Sequence, residues 1–312
     1  MIPLCSPKQA LLPTALALGS FDGLHAGHRR VIERITRNTP GIPTVVSFWP
    51  HPREVLYGEA RLRLDLPSEK TSLLEPLGVE QLVLIPFDKS LAALTPDKFV
   101  NQILLETLQA KHIAVGANFR FGKNREGDVF TLEKIGATAG IKVSVVPILE
   151  DNEGRMSSSR IRSALNKGEL KTAQKLMGRA YRFRGSVVSG RGIGRGIGWP
   201  TANLQVDGRK FLPGQGVYAA WAWKPNKDNA FSAVMNLGPQ PTVDPTAPSA
   251  VEVHLLDKDL DLTGQELIVE PVQKLRSQKQ FTNLVELSAQ IGRDAKLAKT
   301  ILESIENHLG TG

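Results

Sequence analysis

The sequence predicts an α/β protein of two domains: a doubly wound parallel sheet, followed by an antiparallel β-barrel with a C-terminal helix. In the first half, short apolar runs alternate with helical stretches, the pattern of a parallel sheet covered on both faces. After Gly178, short strands follow one another with turns and no helix between them, which is typical of a barrel. The 312 residues exceed one typical domain. The change of pattern predicts domains at 1–180 and 181–312.

The strands of the first half are predicted at 15–18, 44–48, 81–85, 112–115 and 143–146. An apolar stripe formed by Phe99, Ile103, Leu104 and Leu108 has helical spacing and predicts a helix over 96–108. In the second half, strands are predicted at 184–188, 216–221, 233–236, 251–255 and 267–270. The helical pattern over 281–309 is expected to pack on the barrel.

Charge and cysteine content restrict the partners. The net charge is +8, and residues 155–195 hold eleven Lys and Arg against one acid, Glu169. Only two aromatic residues, Tyr181 and Phe183, lie among these charges, so the charges favour phosphate binding over nucleic acid. The single cysteine, Cys5, excludes an internal disulfide and a Cys-based zinc site. With neither a signal peptide nor a membrane-spanning run, we expect a cytoplasmic protein with no membrane partner.

Residues 19–28, Gly-Ser-Phe-Asp-Gly-Leu-His-Ala-Gly-His, lie where the first strand turns into a helix. Backbone N–H groups and the helix dipole favour an anion at such a turn, and Gly23 and Gly27 permit close approach of a triphosphate. The string resembles the HxGH signature of nucleotidylyltransferases, in the GxFDGxHxGH form of bacterial FAD synthetases. The resemblance implies catalytic roles for His25 and His28. It also implies ATP binding by Gly19, Ser20, Phe21, Asp22, Gly23, His25 and His28.

A second group of hydroxyls follows the fifth strand, in Ser157-Ser158-Ser159-Arg160-Ile161-Arg162. One serine is an ordinary helix cap, but three serines and an arginine offer more donors than a cap needs. The set resembles the second nucleotidylyltransferase signature, SSTxIR. This implies that Ser158, Ser159 and Arg162 bind the phosphates that leave as pyrophosphate, with Arg162 catalytic.

Two further loops follow predicted strands of the parallel sheet, and ligands of such sheets bind beyond the carboxyl ends of the strands. The resemblance to FAD synthetases implies that a flavin stacks near these loops, at Pro50, His51, Pro52, Asn118 and Phe121.

In the second half, five glycines alternate with other residues over 190–198, around two arginines, and Trp-Pro-Thr-Ala-Asn follows. Such a stretch cannot form a well-packed strand. It is either a mobile surface loop or a flap whose backbone surrounds phosphates. It lacks the Gly-Lys-Ser/Thr ending of a P-loop, and it resembles the GRxxGxPTAN signature of riboflavin kinases. The resemblance implies Mg²⁺ binding by Thr201 and Asn203 and ATP binding by Gly194, Arg195, Gly198, Pro200, Thr201 and Asn203.

Glu252 alternates with Val251 and Val253, so its side chain lies on the opposite face of the strand from the valines. Alone, it would be an exposed strand acid. In the riboflavin kinase resemblance it is the base that takes the 5′-hydroxyl proton of riboflavin, and Arg276 lies near the flavin. The motifs occur in order over both halves, as in the bifunctional riboflavin kinase/FMN adenylyltransferase family. This implies riboflavin, FMN, FAD and ATP as ligands, with Mg²⁺.

Two alternatives stay open at this stage. HxGH alone does not choose the phosphate acceptor, which could instead be a pantetheine or nicotinate nucleotide; the loop at 118–122 and the attached barrel argue against this. The chain could also be a basic nucleic-acid-binding protein whose enzyme motifs have lapsed, although the motif residues are intact. The sequence makes no prediction of the oligomeric state.

Overall fold

The computed structural model describes residues 1–190, 193–225, 227, 229–238, 251–258 and 260–309, without the side chains of 193, 195 and 307–309. Contacts divide the chain into two compact units, Met1–Ser158 and Ser159–Gly312. Residues 159–180 are thereby grouped with the barrel. The boundary near residue 180, drawn from sequence pattern, stays a prediction of where the functional domains divide.

The first unit is built on a six-stranded sheet with the order β1-β4-β3-β2-β5-β6, in which all pairings are parallel. Its strands are β1 (Leu4–Cys5), β2 (Thr14–Leu18), β3 (Ile42–Trp49), β4 (Gln81–Pro86), β5 (Ala110–Gly116) and β6 (Lys142–Val146). A small hairpin, β7 (Glu150–Asp151) and β8 (Gly154–Arg155), follows. The helices are α1 (Ala26–Thr36), α2 (Pro52–Tyr57), α3 (Pro67–Leu74), α4 (Lys89–Ala92), α5 (Pro96–Lys98), continued by a π-helix (Phe99–Thr107), and α6 (Val129–Thr138).

Both faces of this sheet are buried, because alternate residues of each strand pack into different clusters. Leu16 and Leu18 of β2 pack with the helical residues Phe99 and Leu104. Ala15 and Ala17 pack on the other face, with the α1 residues Val31, Ile32 and Ile35. The doubly wound parallel sheet predicted from continuous apolar strands is confirmed. The order β3-β2-β5 also brings the loops after these three strands to one edge of the sheet.

The second unit contains α7 (Ser158–Lys167, apart from its first residue), α8 (Leu170–Met177) and a closed antiparallel barrel with the strand order β10-β13-β12-β11-β14-β9. The strands are β9 (Phe183–Val188), β10 (Ala202–Val206), β11 (Gly216–Trp223), β12 (Phe231–Leu237), β13 (Val251–Leu255) and β14 (Glu266–Arg276). The predicted barrel is confirmed. The sequence missed β10, and the expectation of no helix between the strands was wrong, since α9 (Ile193–Gly196) forms one turn there.

The C-terminal helix α10 (Leu284–Leu309) packs on the barrel, as predicted. Its residues Ala295, Ala298 and Leu302 share a core cluster with Val217 and Ala219 of β11. Within the described ranges, no helix combines the length and the apolar character needed to cross a membrane.

Candidate functional site

The turn between β2 and α1 has an unusual backbone. Phe21 and Leu24 have φ values of 46° and 42°, and Gly23 has a φ of 83°. A non-glycine residue in this left-handed region costs on the order of 1–3 kcal/mol, so other contacts must hold the turn. A Cβ at Gly27 would lie 3.2 Å from the ring of His25. This glycine therefore makes room for a side chain of its own motif.

His25 and His28 stack at this turn, with ring centroids 3.7 Å apart and planes inclined by 23°. The ring of Phe21 meets His28 edge-on at 5.3 Å. The Nδ1 atoms of both histidines are buried without a hydrogen-bond partner among the described residues. Buried polar atoms are rarely left unsatisfied, so these two atoms are candidates for contact with a ligand.

Both histidines are electrically neutral near pH 7. Burial, and then the positive charges of Arg155 and Arg29, lower the pKa of His25 from 6.5 to about 4. Burial, and then His25, Lys70 and Arg155, hold the pKa of His28 well below 6.5. A neutral imidazole offers one N–H donor and one acceptor. The standing positive charge around the pair comes from Arg29, Lys70 and Arg155, which the sequence analysis did not single out.

The other residues predicted to bind ATP, in the first motif and in the serine-rich motif, lie in both units. The carboxylate of Asp22 accepts hydrogen bonds from the backbone N–H groups of Leu64 (2.9 Å) and Asp65 (3.2 Å). Ser158 Oγ donates to the carbonyl oxygen of Asp22 at 2.7 Å. Ser159 and Arg162 lie on α7, in the second unit. There the guanidinium of Arg162 lies 5.8 Å from the centroid of the Phe211 ring.

The predicted flavin residues include two with structural roles. His51 caps α2, because its Nδ1 accepts from the N–H of Arg53 at 3.1 Å. Phe121 is buried and packs on Phe99 at 5.7 Å. The stacked neighbour of Phe121, Phe119 at 5.6 Å, is only partly buried. Phe119 is thus an additional aromatic side chain of the loop after β5, which also contains the exposed Asn118.

Pro50 is exposed, and Pro52 is the first residue of α2, where a proline needs no backbone N–H donor. Pro50 lies in the loop after β3 and Pro52 directly follows that loop; the carboxyl end of β3 is beside that of β2.

Two glycines of the glycine-rich stretch lie too close to neighbouring atoms to carry a side chain. A Cβ at Gly190 would collide with the side-chain amide of Asn203, and one at Gly194 with the carbonyl oxygen of Trp199. Gly198 has a φ of +82°, which favours glycine. Arg191 and Gly192 lie outside the described residues, as does the side chain of Arg195.

A cavity of about 250 Å³ opens beside this stretch. Gly190, Pro200, Thr201 and Asn203 line it, together with the apolar side chains of Val253, Leu255 and Leu262. The loop before β14 adds Lys258, Leu260, Asp261 and Thr263, which the sequence analysis missed because nothing in their local pattern marks them. An apolar wall beside hydroxyl, amide and backbone donors suits a nucleotide.

Strand register brings Glu252 next to Asn203, which is predicted to bind ATP. Glu252 of β13 pairs with Asn203 of β10 on one side and with Asn236 of β12 on the other. Directly opposed residues on neighbouring strands project to the same face. The side-chain amide of Asn236 donates to Glu252 Oε2 at 3.4 Å, and Gln278 Nε2 donates to Asn236 Oδ1 at 2.7 Å. A half-buried carboxylate therefore lies beside Asn203, which lines the cavity.

Arg276 lies at the end of β14 and is anchored to α10. Its guanidinium donates to both carboxylate oxygens of Asp294, with Nε 3.0 Å and Nη2 2.8 Å from Oδ2. Both side chains are mostly buried, and Gln290 also donates to Asp294 at 2.8 Å. The ring of Phe281 lies 5.8 Å from the guanidinium. A fork-shaped ion pair of this kind fixes the direction of the arginine.

Comparison with known proteins gives two successive family matches. The FAD synthetase family model matches residues 8–160, and the riboflavin kinase family model matches residues 177–302. The bifunctional riboflavin kinase/FMN adenylyltransferase of Escherichia coli K12 is 37% identical over 290 residues, covering 91% of each chain. The protein of that name from Bacillus subtilis is 32% identical, covering 93% of each chain.

A solved structure is also similar over both units. The Streptococcus pneumoniae protein described as a macrolide-efflux protein is 29% identical, with a TM-score of 0.82. The match covers 94% of this chain and 97% of that one. From these matches and the motifs in both units, the chain belongs to the bifunctional riboflavin kinase/FMN adenylyltransferase family.

Proposed function

We propose that this chain makes FAD from riboflavin in two steps. The barrel transfers the γ-phosphoryl group of ATP to riboflavin, giving FMN and ADP. The parallel-sheet unit contributes the turn formed by residues 19–28, which carries His25 and His28 and is called the histidine turn. This turn takes part in the transfer of AMP from a second ATP to FMN, giving FAD and pyrophosphate. The observation that carries the proposal is the pairing of Glu252 with Asn203 beside the barrel cavity, in a chain that also holds the stacked histidine pair.

Phosphorylation of a hydroxyl requires removal of its proton. Glu252 is the base for this step, since it is a half-buried carboxylate facing the same side as Asn203. A positioned general base contributes roughly 10²–10⁴-fold to a rate. Arg276, held by Asp294, orients the flavin beside it.

Thr201 and Asn203 suit Mg²⁺ because their side chains offer the oxygen ligands that this ion prefers. The glycines at 190 and 194 leave these side chains the space that a Cβ would fill. When bound, Mg²⁺ neutralises charge on the phosphates of ATP. Since Mg²⁺ keeps several ligands from water and phosphate, two protein oxygens are sufficient.

Adenylyl transfer needs no base, because the phosphate of FMN is already an anion. It needs donors and positive charge at the α-phosphate and at the leaving pyrophosphate. Neutral His25 and His28 donate hydrogen bonds from their rings, and Arg29 and Arg155 supply the charge. A bound triphosphate raises the pKa of both histidines, since an anion favours the imidazolium. Ser158, Ser159 and Arg162 bind the pyrophosphate, and Pro50, His51, Pro52, Asn118 and Phe121 surround the flavin.

A cytoplasmic location is part of the same proposal, because both steps consume ATP.

The test is to incubate the chain with riboflavin, ATP and Mg²⁺ and to separate the flavins. Wild type is expected to form FMN and then FAD. The variant His28→Ala should lose most FAD formation from FMN and keep riboflavin phosphorylation. Glu252→Gln, which keeps the size of the side chain and removes the basic oxygen, should lose roughly two to four orders of magnitude in phosphorylation and keep adenylylation. Equal loss of both activities in either variant would reject the two-site proposal.

A further inference from the structure

The histidine turn is hydrogen-bonded to a segment that belongs to none of the sequence motifs. It runs from residue 64 to residue 70, before and into α3. The backbone N–H of Gly23 donates to Asp65 Oδ2 at 2.9 Å. In return, the N–H groups of Leu64 and Asp65 donate to Asp22 Oδ1 at 2.9 and 3.2 Å. Each aspartate thus accepts from the backbone beside the other.

Lys70 adds a third attachment from the first turn of α3. Its ammonium donates to the carbonyl oxygen of Ser20 at 2.7 Å. Asp22, Asp65 and Lys70 are respectively 5%, 2% and 6% exposed. These hydrogen bonds are therefore shielded from water, and a hydrogen bond that involves an ionised group is stronger than a neutral one.

The turn needs such attachments, because its own residues disfavour its shape. Phe21 and Leu24 both have positive φ, which non-glycine residues rarely adopt. Each of them directly follows an attached residue: Ser20 precedes Phe21, and Gly23 precedes Leu24. If the attachments were lost, the backbone could relax toward ordinary φ values, and the stacked rings of His25 and His28 would move with it.

We propose that Asp65 and Lys70 are positioning residues for adenylyl transfer, which fix the strained turn so that His25 and His28 stand in their reactive arrangement. The inference rests on the proposed function of the histidine turn. Neither residue touches the reacting atoms in this role; each acts through the backbone of residues 20–24. A misplacement of about 1 Å in a catalytic group can cost about 100-fold in rate, so the effect on turnover is measurable.

The test compares Asp65→Ala with Asp65→Asn. The amide oxygen of asparagine can still accept from the N–H of Gly23, whereas alanine cannot. We expect Asp65→Ala to lower kcat for FMN adenylylation about 10- to 100-fold at saturating ATP, and Asp65→Asn to restore it to within about threefold of wild type. Riboflavin phosphorylation by the same molecules should be unchanged. Asp88→Ala is the matched control, since it removes an exposed helix-capping aspartate from the same unit.

Lys70→Met is the second variant, and it carries the test if Asp65→Ala fails to fold. It removes the donor to Ser20 and should lower the same kcat about 10- to 100-fold. Circular dichroism at the assay temperature verifies that each variant is folded. A merely structural role would lower the melting temperature and leave kcat per folded molecule unchanged, which would overturn the proposal. Equal loss in Asp65→Asn and Asp65→Ala would also overturn it.

His28→Ala separates this proposal from the proposed function. Full adenylylation by His28→Ala would mean that the proposed function of the turn is wrong. Loss of activity in His28→Ala, with wild-type kcat in folded Asp65→Ala and Lys70→Met, would overturn only the positioning roles.

Discussion

Protonation of His25 should make the first unit less stable in mild acid. The pKa of His25 is about 4 in the folded chain, against 6.5 for an ordinary histidine. Between pH 6.5 and pH 4, His25 is therefore mostly protonated in the unfolded chain and mostly neutral in the folded chain. The stability associated with neutral His25 is fully present above pH 6.5 and is lost as the pH falls through 4. At about 1.4 kcal/mol for each pH unit, the loss totals about 3 kcal/mol, of which about 2 kcal/mol is reached by pH 5.

The variant His25→Gln isolates this contribution, because glutamine does not titrate. Between pH 7 and pH 5, the free energy of unfolding of the first unit should fall by about 2 kcal/mol less in His25→Gln than in wild type. Burial is the main cause of the low pKa, and the His25 side chain is only 7% exposed, so screening by solvent reduces the effect little. The pKa of His28 is lowered in the same direction, mainly by burial, and this part of its pH dependence is common to both proteins, whereas His25→Gln removes the smaller contribution of His25.

Urea unfolding provides the assay, read by pulsed hydrogen exchange of peptides from β2 and β3, with labelling at a common pH. This readout reports on the parallel sheet separately from the barrel. An equally steep loss of stability in His25→Gln and in wild type would refute the reasoning. So would an imidazole resonance of His25 that titrates near 6.5 in the folded protein.

Two further predictions concern the barrel. Gly190→Ala should raise the KM for ATP in riboflavin phosphorylation at least about tenfold, because its Cβ would collide with the Asn203 amide, and about 1.4 kcal/mol of lost binding has that effect. Gly196→Ala is the matched control, since its Cβ would meet nothing within 4 Å; equal KM values for the two variants in a steady-state assay would contradict the steric argument. Fragments 159–312 and 181–312 should both make FMN, and the longer should unfold at higher urea, because the four buried side chains of α8 are worth several kcal/mol. Equal midpoints, or a folded fragment without kinase activity, would count against this division of the chain.

The sequence determined the fold class because its signals are local. Continuous apolar strands separated by helices require burial on both faces, and the alternate packing of Ala15 and Leu16 meets that requirement. Short strands joined by turns specify an antiparallel barrel in the same way. The pattern missed β10, whose alternating Ala202, Leu204 and Val206 follow directly on the glycine-rich stretch.

The sequence also identified the histidine turn, because its ten residues are contiguous. It could not supply the charge state of His25, since the low pKa is a property of burial and of Arg155, which lies far along the chain. His51 is a second example of what the residue type did not reveal. Its ring was predicted to lie near the flavin, and it also caps a helix that begins at the next residue. A residue type alone does not reveal which of its hydrogen bonds are already made.

What only the tertiary structure decided is which distant residues meet. The pairing of Glu252 with Asn203 depends on strand register, and a slip of one residue would turn the carboxylate to the other face. The attachment of Asp65 and Lys70 to the turn depends on where the loop before α3 and the first turn of α3 pack against residues 20–24. Local periodicity carries no information about such long-range contacts. They form because a buried carboxylate or ammonium must find a partner in the compact chain.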